Sequence, residues 1–222
     1  MMIEAIIFDM DGLLVDSEPY WNEARRIMAA EAGVIWNEDD HKAVMGVSTP
    51  EWVMYMIERL GLKLPPKSVE ERIVSAMTDL YDQRIPFLPG AVEAVSLAAK
   101  HFTTALASGS PRSLIEKVTK SPVMNGRFDL ILSGDQFAHG KPAPDIYLGA
   151  AEQLNLKPSQ CLCLEDSGSG ILAGHRAGMR VIAVPDPRFP PAAEDLAKAS
   201  EVLPSLRQFS IDTFSDDASL TI

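Results

Sequence analysis

Two carboxylates stand directly after a short apolar run near the start of the chain. Asp9 and Asp11 are two positions apart, and Gly12 follows them. Because side chains two apart at a strand end point to the same side, these carboxylates are predicted to lie close together. Two nearby carboxylates repel each other, so that either one acquires a raised pKa or both need a cation. Asp-Gly is also ordinary turn chemistry, and the pair alone leaves a reactive site and a polar turn both open.

A turn rich in hydroxyl groups follows a second apolar run. Ser108, Gly109 and Ser110 stand at its end, and a helix is predicted to begin just after them, at Pro111. A hydroxyl together with free backbone N–H groups at the start of a helix is a natural cradle for an anion. The same residues could instead form a plain helix cap.

A lysine and a second acidic pair complete the set of reactive side chains. Lys141 lies in the stretch Gly-Lys-Pro-Ala-Pro, whose prolines stiffen the backbone and would hold the ammonium group in one place. Glu165 and Asp166 follow another apolar run. Two acidic clusters at one edge of a sheet would supply hard oxygen ligands, which suit Mg²⁺.

Together these groups fit the transfer of a phosphoryl group. A carboxylate attacks phosphorus, while hydroxyl, backbone N–H and lysine groups hold the phosphoryl oxygens and Mg²⁺ bridges carboxylate and phosphate. The second carboxylate of the first pair can protonate the leaving oxygen and then activate water. Hydrolysis of a phosphate monoester can require an acceleration of up to ~10²¹-fold, so neutralisation of charge by both a metal and a lysine is expected.

Alternating apolar runs and helical patterns predict the scaffold that would position these groups. Residues 6–8 show little polar alternation, as expected of a strand buried on both faces of a parallel sheet. Further strands are predicted at residues 102–107, 128–132, 161–164 and 181–184. The helices between and around them are predicted at residues 91–100, 111–120, 143–154 and 170–177. Such alternation is typical of parallel βαβ units, whose carboxyl strand ends are where open α/β folds bind ligands.

The segment from about residue 17 to residue 86 breaks this alternation. It contains helical patterns at residues 20–32, 50–60 and 68–84, and no clear strand. We therefore predict a helical insertion after the first strand, hinged beside Asp9 and Asp11 so that it could close over them. The segment also holds all three tryptophans, which either form the core of a small helical bundle or contact a ligand such as a sugar.

The bulk composition narrows the classes of partner. The hydrophobic fraction of 46% and the charged fraction of 23% are ordinary for a soluble globular protein. The formal net charge of −11 argues against nucleic acid or an anionic membrane as a partner, but not against a small anion. No signal peptide or membrane-spanning segment is visible, and Cys161 and Cys163 are expected to be buried, reduced thiols. We expect a cytoplasmic monomer that binds a small molecule.

The motifs, taken in order, resemble those of the haloacid dehalogenase-like hydrolases. They are FDMDG at residues 8–12, LASGS at 106–110, GKPAPDIY at 140–147 and LEDSGSG at 164–170. The resemblance implies that Asp9 is the nucleophile and Asp11 the general acid and base. It implies that Mg²⁺ is held by Asp9, the backbone carbonyl of Asp11 and Asp166, with Glu165 bound directly or through water. The residues implied to bind phosphate are Ser108, Gly109 and Lys141.

The helical insertion is similar to the cap of the subgroup that contains β-phosphoglucomutase and sugar-phosphate phosphatases. This resemblance implies a Rossmann-like α/β core, a doubly wound parallel sheet formed by residues 1–16 and 87–222, with an inserted all-helical cap at residues 17–86. It implies a Mg²⁺-dependent phosphatase that hydrolyses a small phosphorylated metabolite, a sugar or polyol phosphate, through an aspartyl-phosphate. Candidates for setting specificity are Glu18, Trp21, Gly46, Ser48 and Thr49.

At several positions this chain differs from other members of the family, and these differences argue against three other activities. The presence of Asp11 argues against a true dehalogenase, which lacks the second aspartate. A β-phosphoglucomutase-like isomerase is the alternative function, but such enzymes carry a cap arginine where Thr49 stands and a histidine where Trp21 stands. A phosphonate hydrolase would need a cap lysine early in the chain, and no lysine occurs in residues 1–40.

Two rival classes share some of these motifs. The stretch from Gly168 to Ala173 fits the dinucleotide-binding pattern G-x-G-x-x-A, but Glu165 and Asp166 would lie beside the pyrophosphate. These glycines are better explained by tight packing of a helix under the metal site. A phospho-accepting receiver module also uses aspartate, hydroxyl and lysine, but its acceptor lies on a middle strand and it has no inserted cap.

Overall fold

The computed structural model describes residues 2–45, 47 and 49–212. The chain divides into two compact units. The first, which we call the core unit, runs up to Asp16 and resumes at Pro86, and the second, the helical unit, runs from Ser17 to Ile85. Gly46 and Ser48, two of the residues suggested above to set specificity, lie outside the described residues. None of the described helices combines the length and the hydropathy that a membrane span needs.

The core unit is built on a parallel sheet with its first strand in the middle. Its strands are β1 (Ala5–Phe8), β2 (Thr103–Ser108), β3 (Leu130–Ser133), β4 (Cys161–Glu165), β5 (Arg180–Ala183) and β6 (Glu201–Val202). They are arranged in the order β3-β2-β1-β4-β5-β6, and every pairing is parallel. The predicted α/β fold is confirmed, and strands β1, β2 and β4 lie side by side.

The register of the sheet brings the ends of these three strands level. Phe8 of β1 pairs with Leu106 of β2 on one side and with Leu164 of β4 on the other. The residues that follow these positions therefore emerge at the same carboxyl edge. They include Asp9 and Ser108, together with the acidic pair after β4.

Helices pack against the strands of the sheet. The core-unit helices are α5 (Ala91–His101), α6 (Arg112–Thr119), α7 (Asp145–Gln153), α8 (Gly168–Arg176) and α9 (Ala193–Leu196). Cys161 and Cys163 are free and share one buried cluster with residues of α7 and α8, as expected for reduced core thiols. On the opposite face the Phe8 ring packs edge-on against Phe128 and Phe209. Burial on both faces explains why β1 has no polar alternation.

The helical unit contains α1 (Glu18–Glu31), α2 (Glu38–Val44), α3 (Thr49–Leu60) and α4 (Pro66–Gln83). Helix α4 packs against α1 and α3. Its buried residues, Val69, Ile73, Met77 and Tyr81, recur every four positions and so form one stripe along the helix.

Two α-helices and one strand of the described residues were missing from the sequence-based prediction. Helix α2 is short and strongly polar, so its apolar periodicity is weak, and it starts at a capping box formed by Asn37 and Asp40. Asn37 Oδ1 accepts hydrogen bonds from the backbone N–H groups of Asp39 and Asp40 at 2.9 and 3.0 Å. Helix α9 and strand β6 are too short to give a periodic signal.

Candidate active site

Asp9 is the first residue after β1 and is almost completely buried, with 6% of its surface exposed. Its backbone N–H donates to the carbonyl of Leu164, which continues the sheet pairing by one residue. Its side-chain Oδ1 accepts a hydrogen bond from Lys141 Nζ at 2.5 Å. The strand thus fixes the backbone of this carboxylate, and the lysine fixes one of its oxygens.

Asp11 is held by two serine hydroxyls, one from the last residue of β2 and one from the turn after it. Its Oδ2 accepts from Ser108 Oγ at 3.1 Å and from Ser110 Oγ at 2.7 Å. Its Oδ1 is buried and has no hydrogen-bond partner within the described part of the chain. The structure therefore orients one Asp11 oxygen and leaves the other with unused hydrogen-bonding capacity.

The turn after β2 differs in detail from the predicted anion cradle. The backbone N–H of Ser110 donates to Ser108 Oγ at 3.0 Å, so this group is already engaged. Ser133 Oγ donates to the Ser110 carbonyl at 2.8 Å and anchors the turn from the neighbouring strand. Helix α6 begins at Arg112, one residue later than predicted. Gly109 lies between the two serines that bind Asp11, with its backbone packed close to Gly134.

Lys141 connects the two acidic pairs. Its Nζ donates to Asp9 Oδ1 at 2.5 Å, to Glu165 Oε1 at 2.6 Å and to the Ala107 carbonyl at 3.2 Å. Only 12% of its side chain is exposed, so this lysine is not an ordinary solvated one. The attraction of Asp9 and Glu165 raises the pKa of Lys141, although burial acts in the opposite direction, and the ammonium stays charged.

Glu165 is completely buried and held by several donors. Its Oε1 also accepts from Tyr147 OH at 2.6 Å, and its Oε2 accepts from Ser167 Oγ at 3.4 Å. Burial, reinforced by the Glu165 carboxylate, raises the pKa of Tyr147, so the phenol remains a donor. A Cβ at Gly170 would overlap the Glu165 carboxylate, which explains the glycine at this position of α8.

The Asp166 side chain lies close to the backbone of Gly12, the residue that follows Asp11. Gly12 has φ +80°, a conformation that favours glycine, and a Cβ there would overlap the Asp166 carboxylate. One glycine thus makes the turn after Asp11 and also leaves room for the second acidic pair.

The donor set fits a divalent cation. Asp9, Glu165 and Asp166 each offer a carboxylate oxygen, and these oxygens lie within 4.8 Å of one another. Burial, together with Glu165 and Asp11, raises the pKa of Asp9 to about 8 despite the opposing effect of Lys141. Burial and the Asp9 carboxylate also raise the pKa of Asp166. One ammonium cannot balance this acidic cluster, and carboxylate oxygens are the ligands that Mg²⁺ prefers.

Comparison with known proteins identifies the family. A model of the family described as haloacid dehalogenase-like hydrolase matches residues 3–178. The chain belongs to the haloacid dehalogenase-like hydrolases. The resemblance drawn from the sequence motifs is therefore confirmed.

Two relatives of this hydrolase carry phosphatase names. It is 36% identical to hexitol phosphatase B of Escherichia coli K12 over 209 residues, which cover 90% of this chain and 94% of the relative. It is 35% identical to a phosphorylated carbohydrates phosphatase of Thermotoga maritima, over 81% of this chain and 84% of the relative.

Solved structures of the same family share the fold. CbbY from Rhodobacter sphaeroides in complex with phosphate has a TM-score of 0.82 and 27% identity, over 93% of this chain and 96% of that one. β-Phosphoglucomutase from Clostridium difficile has a TM-score of 0.78 and 26% identity, over 96% of this chain and 95% of that one.

The hydrolase site brings together, at one edge of the sheet, the residues that the sequence suggested for catalysis, phosphate binding and metal binding. The specificity candidates Glu18, Trp21 and Thr49 lie instead in the helical unit.

Two contributions were not predicted: Tyr147 was not named at all, and Ser110 was named only as part of the turn and not as a partner of Asp11. Both lie inside the motifs that were recognised, so the motifs themselves were the available signal. Their roles depend on partners distant in sequence, since Ser110 is 99 residues from Asp11 and Tyr147 is 18 residues from Glu165.

Proposed function

We propose that this hydrolase is a phosphoric monoester hydrolase that uses Mg²⁺ to cleave a sugar or polyol phosphate. The observation that carries the proposal is the pairing of Asp9 with Lys141 Nζ at 2.5 Å beside Asp11, which two serine hydroxyls orient. A carboxylate held by a cation next to a second, separately held carboxylate supplies a nucleophile and a proton donor within one site. The names of the two relatives support a phosphorylated carbohydrate or hexitol as substrate.

In the first step, Asp9 is the proposed nucleophile. Lys141 holds Oδ1, so Oδ2 attacks phosphorus and forms an aspartyl-phosphate. The bond between phosphorus and the ester oxygen breaks, and that oxygen takes a proton from the carboxylic acid of Asp11. The sugar or polyol leaves with a restored hydroxyl group.

In the second step, Asp11 is the proposed base. Its carboxylate removes a proton from water, whose oxygen attacks phosphorus as the bond to Asp9 breaks. Inorganic phosphate is released, Asp9 is a free carboxylate again and Asp11 has regained its proton. The hydrogen bond from Ser110 keeps Asp11 oriented through both steps, and the Ser108 hydroxyl, which donates to Asp11 without substrate, turns to a phosphoryl oxygen when substrate binds.

The remaining residues are proposed to bind the phosphoryl group and the metal. Ser108, the Gly109 backbone and Lys141 would bind phosphoryl oxygens. The groups that would hold Mg²⁺ are Asp9, the Asp11 backbone carbonyl, Glu165 and Asp166. When bound, the cation would neutralise charge on the phosphoryl oxygens and on the attacking carboxylate.

We further propose that the enzyme acts in the cytoplasm, as a monomer, on small phosphorylated metabolites. The formal net charge of −11 supports the part of this proposal that concerns partners, because it disfavours binding to nucleic acid and to anionic membranes. The helical unit is proposed to be the cap domain, which decides among the phosphate esters that the enzyme accepts.

A phosphate-release screen tests the function. Purified protein with Mg²⁺ is offered p-nitrophenyl phosphate, sorbitol 6-phosphate, mannitol 1-phosphate, glucose 6-phosphate and glycerol 3-phosphate, with EDTA as the control. We expect inorganic phosphate from sugar or polyol phosphates, and its loss when EDTA is added. Conversion of β-glucose 1-phosphate to the 6-phosphate without phosphate release would instead establish a mutase.

A further inference from the structure

One face of α1 has an unusual composition in its first two turns. Glu18, Trp21, Asn22 and Arg25 are spaced i, i+3, i+4 and i+7, so their side chains share one face of the helix. The same face continues into the buried, apolar Met28. A face directed into a helical bundle is expected to be apolar throughout, and here its beginning is polar and aromatic.

Arg25 is the most unusual residue of this face. It is buried, with 4% of its surface exposed, and its Nε and Nη1 have no hydrogen-bond partner in the part of the chain that the structure describes. The carboxylate of Glu18 lies 3.7 Å from Nη1, beyond normal hydrogen-bond distance. Burial lowers the pKa of Arg25, while Glu18 opposes this effect. Arginine is almost never buried without bonded partners, so these donors point to a ligand.

Two neighbouring groups also have unused hydrogen-bonding capacity. Asn22 Oδ1 and His41 Nδ1, the latter from α2, are buried and lack a hydrogen-bond partner among the described residues. His41 Nδ1 lies 3.7 Å from the Glu18 carboxylate, and burial and Arg25 lower the pKa of His41, so its ring is neutral near pH 7. The cluster therefore offers donors and acceptors, with the charges of Glu18 and Arg25 balanced.

Two tryptophan rings flank the guanidinium. The Arg25 Cζ lies 5.5 Å from the ring centre of Trp21 and 5.7 Å from that of Trp52 on α3. The two ring centres are 6.3 Å apart. Ligand sites commonly combine aromatic surfaces with a few such polar groups.

The opposite charges of Arg25 and Glu18 indicate an uncharged ligand group at this cluster. A second phosphate or a carboxylate beside Arg25 would also lie near the Glu18 carboxylate and would be repelled. A hydroxyl group both donates and accepts, so it can pair with Arg25 and Asn22 together. The aromatic rings can cover the C–H surface of a sugar or polyol chain.

We propose that Asn22, Arg25 and His41, flanked by Trp21 and Trp52, form a site in the helical unit that binds hydroxyl groups of a sugar or polyol. This site, which we call the α1 cluster, makes the enzyme prefer polyhydroxylated phosphate esters. The inference rests on the proposed phosphatase function and adds the residues that select its substrate.

The test compares Arg25→Met with Arg26→Met. Arg26 is the neighbouring, exposed arginine on the same helix, paired with Glu23. For the sugar or polyol phosphate that the wild type turns over best, Arg25→Met is expected to lower kcat/KM by about 10- to 100-fold, since hydrogen bonds to a charged donor are lost. The value for p-nitrophenyl phosphate, which has no hydroxyl groups, should fall much less, so that the ratio of the two kcat/KM values drops. Arg26→Met should leave both values unchanged.

Thermal unfolding distinguishes a role of Arg25 in substrate binding from a role in stabilising the fold. Because Nε and Nη1 of the buried Arg25 have no hydrogen-bond partner among residues 2–45, 47 and 49–212, replacement by methionine is expected to leave Tm unchanged or to raise it. A lower Tm with a parallel loss of both activities would overturn the proposal, as would an unchanged ratio of the two kcat/KM values. A wild-type preference for a bisphosphate or for a carboxylate-bearing ester would also overturn it.

A binding titration tests the site independently of catalysis. Unphosphorylated sorbitol is added while tryptophan fluorescence is followed, since two tryptophans flank Arg25. We expect a saturable change in the wild type and in Arg26→Met that is lost in Arg25→Met; the same response in all three proteins would contradict the inference. If no ester, including p-nitrophenyl phosphate, released phosphate, the proposed phosphatase function would be wrong. The sorbitol titration would still show whether the α1 cluster binds hydroxyl groups.

Discussion

Tyr147→Phe tests whether the buried contact to Glu165 supports the active site. The change removes one hydroxyl, which donates to Glu165 Oε1 at 2.6 Å where both residues are completely buried. Water cannot replace the lost donor easily at such a position. Lys141 still donates to the same oxygen at 2.6 Å, so the carboxylate retains a partner.

The loss of stability expected in Tyr147→Phe is limited by the hydrogen bond from Lys141 that remains. A hydrogen bond to a charged group contributes about 1.5–3 kcal/mol, and the lower part of this range, about 1.5–2 kcal/mol, applies because Lys141 stays in place. In a protein of this size, 1 kcal/mol corresponds to about 2–4 °C, so Tm should fall by about 3–8 °C. Phosphatase activity should fall as well, because Lys141 and Glu165 lose a common anchor.

The assay is thermal unfolding followed by circular dichroism in the presence of EDTA, with phosphate release measured separately. Tyr20→Phe is the matched control, because no hydrogen bond of the Tyr20 hydroxyl is found among the described residues, and its Tm should stay within about 1 °C of the wild type. If the Tm of Tyr147→Phe also stayed within 1 °C, the tyrosine would not support Glu165, and the reasoning about this contact would be wrong.

Three further predictions concern packing, charge and metal. Gly170→Ala should destabilise the core unit by about 1–3 kcal/mol in urea unfolding because its Cβ would overlap the fixed Glu165 carboxylate, whereas Gly140→Ala, with open space around it, should have little effect. Arg59 and Tyr55 lower the pKa of Asp40 below 3.8 although burial acts to raise it, so the stability that Asp40 contributes should be present near pH 7 and lost as the pH falls through its folded-state pKa. Urea unfolding of wild type and Asp40→Asn across pH 2–7 checks this, and a difference that did not shrink at low pH would refute it. Mg²⁺ at about 100 times its Kd should stabilise the protein by about 2.7 kcal/mol, and an equal Tm rise in Asp166→Asn would exclude Asp166 as a ligand.

The sequence was sufficient to predict those strands and helices that have a clear pattern of apolar residues. The unbroken apolar run of β1 and the strand–helix alternation after residue 90 predicted the parallel sheet, and that in turn placed Asp9 and Glu165 at one edge. Helix α2 was missed because its residues are mostly polar and its capping box was not recognised. Strand β6 has only two residues, which is too few for a pattern.

The details of the site depended on contacts that no local pattern contains. The motifs named Ser108 and Lys141, but the bonds from both serines to Asp11 and the link from Lys141 to both acidic pairs arise from tertiary packing. Arg25 is the clearest case, because arginine on a helix is expected at the surface and here it is buried between two tryptophans.

Activity of Asp9→Asn is the most direct test of the proposed mechanism. The substitution keeps the shape of the side chain and removes the attacking oxygen. Release of p-nitrophenolate from p-nitrophenyl phosphate with Mg²⁺ should fall to background in a variant whose circular dichroism spectrum is unchanged. Undiminished turnover by the folded variant would contradict the assignment of Asp9 as the nucleophile.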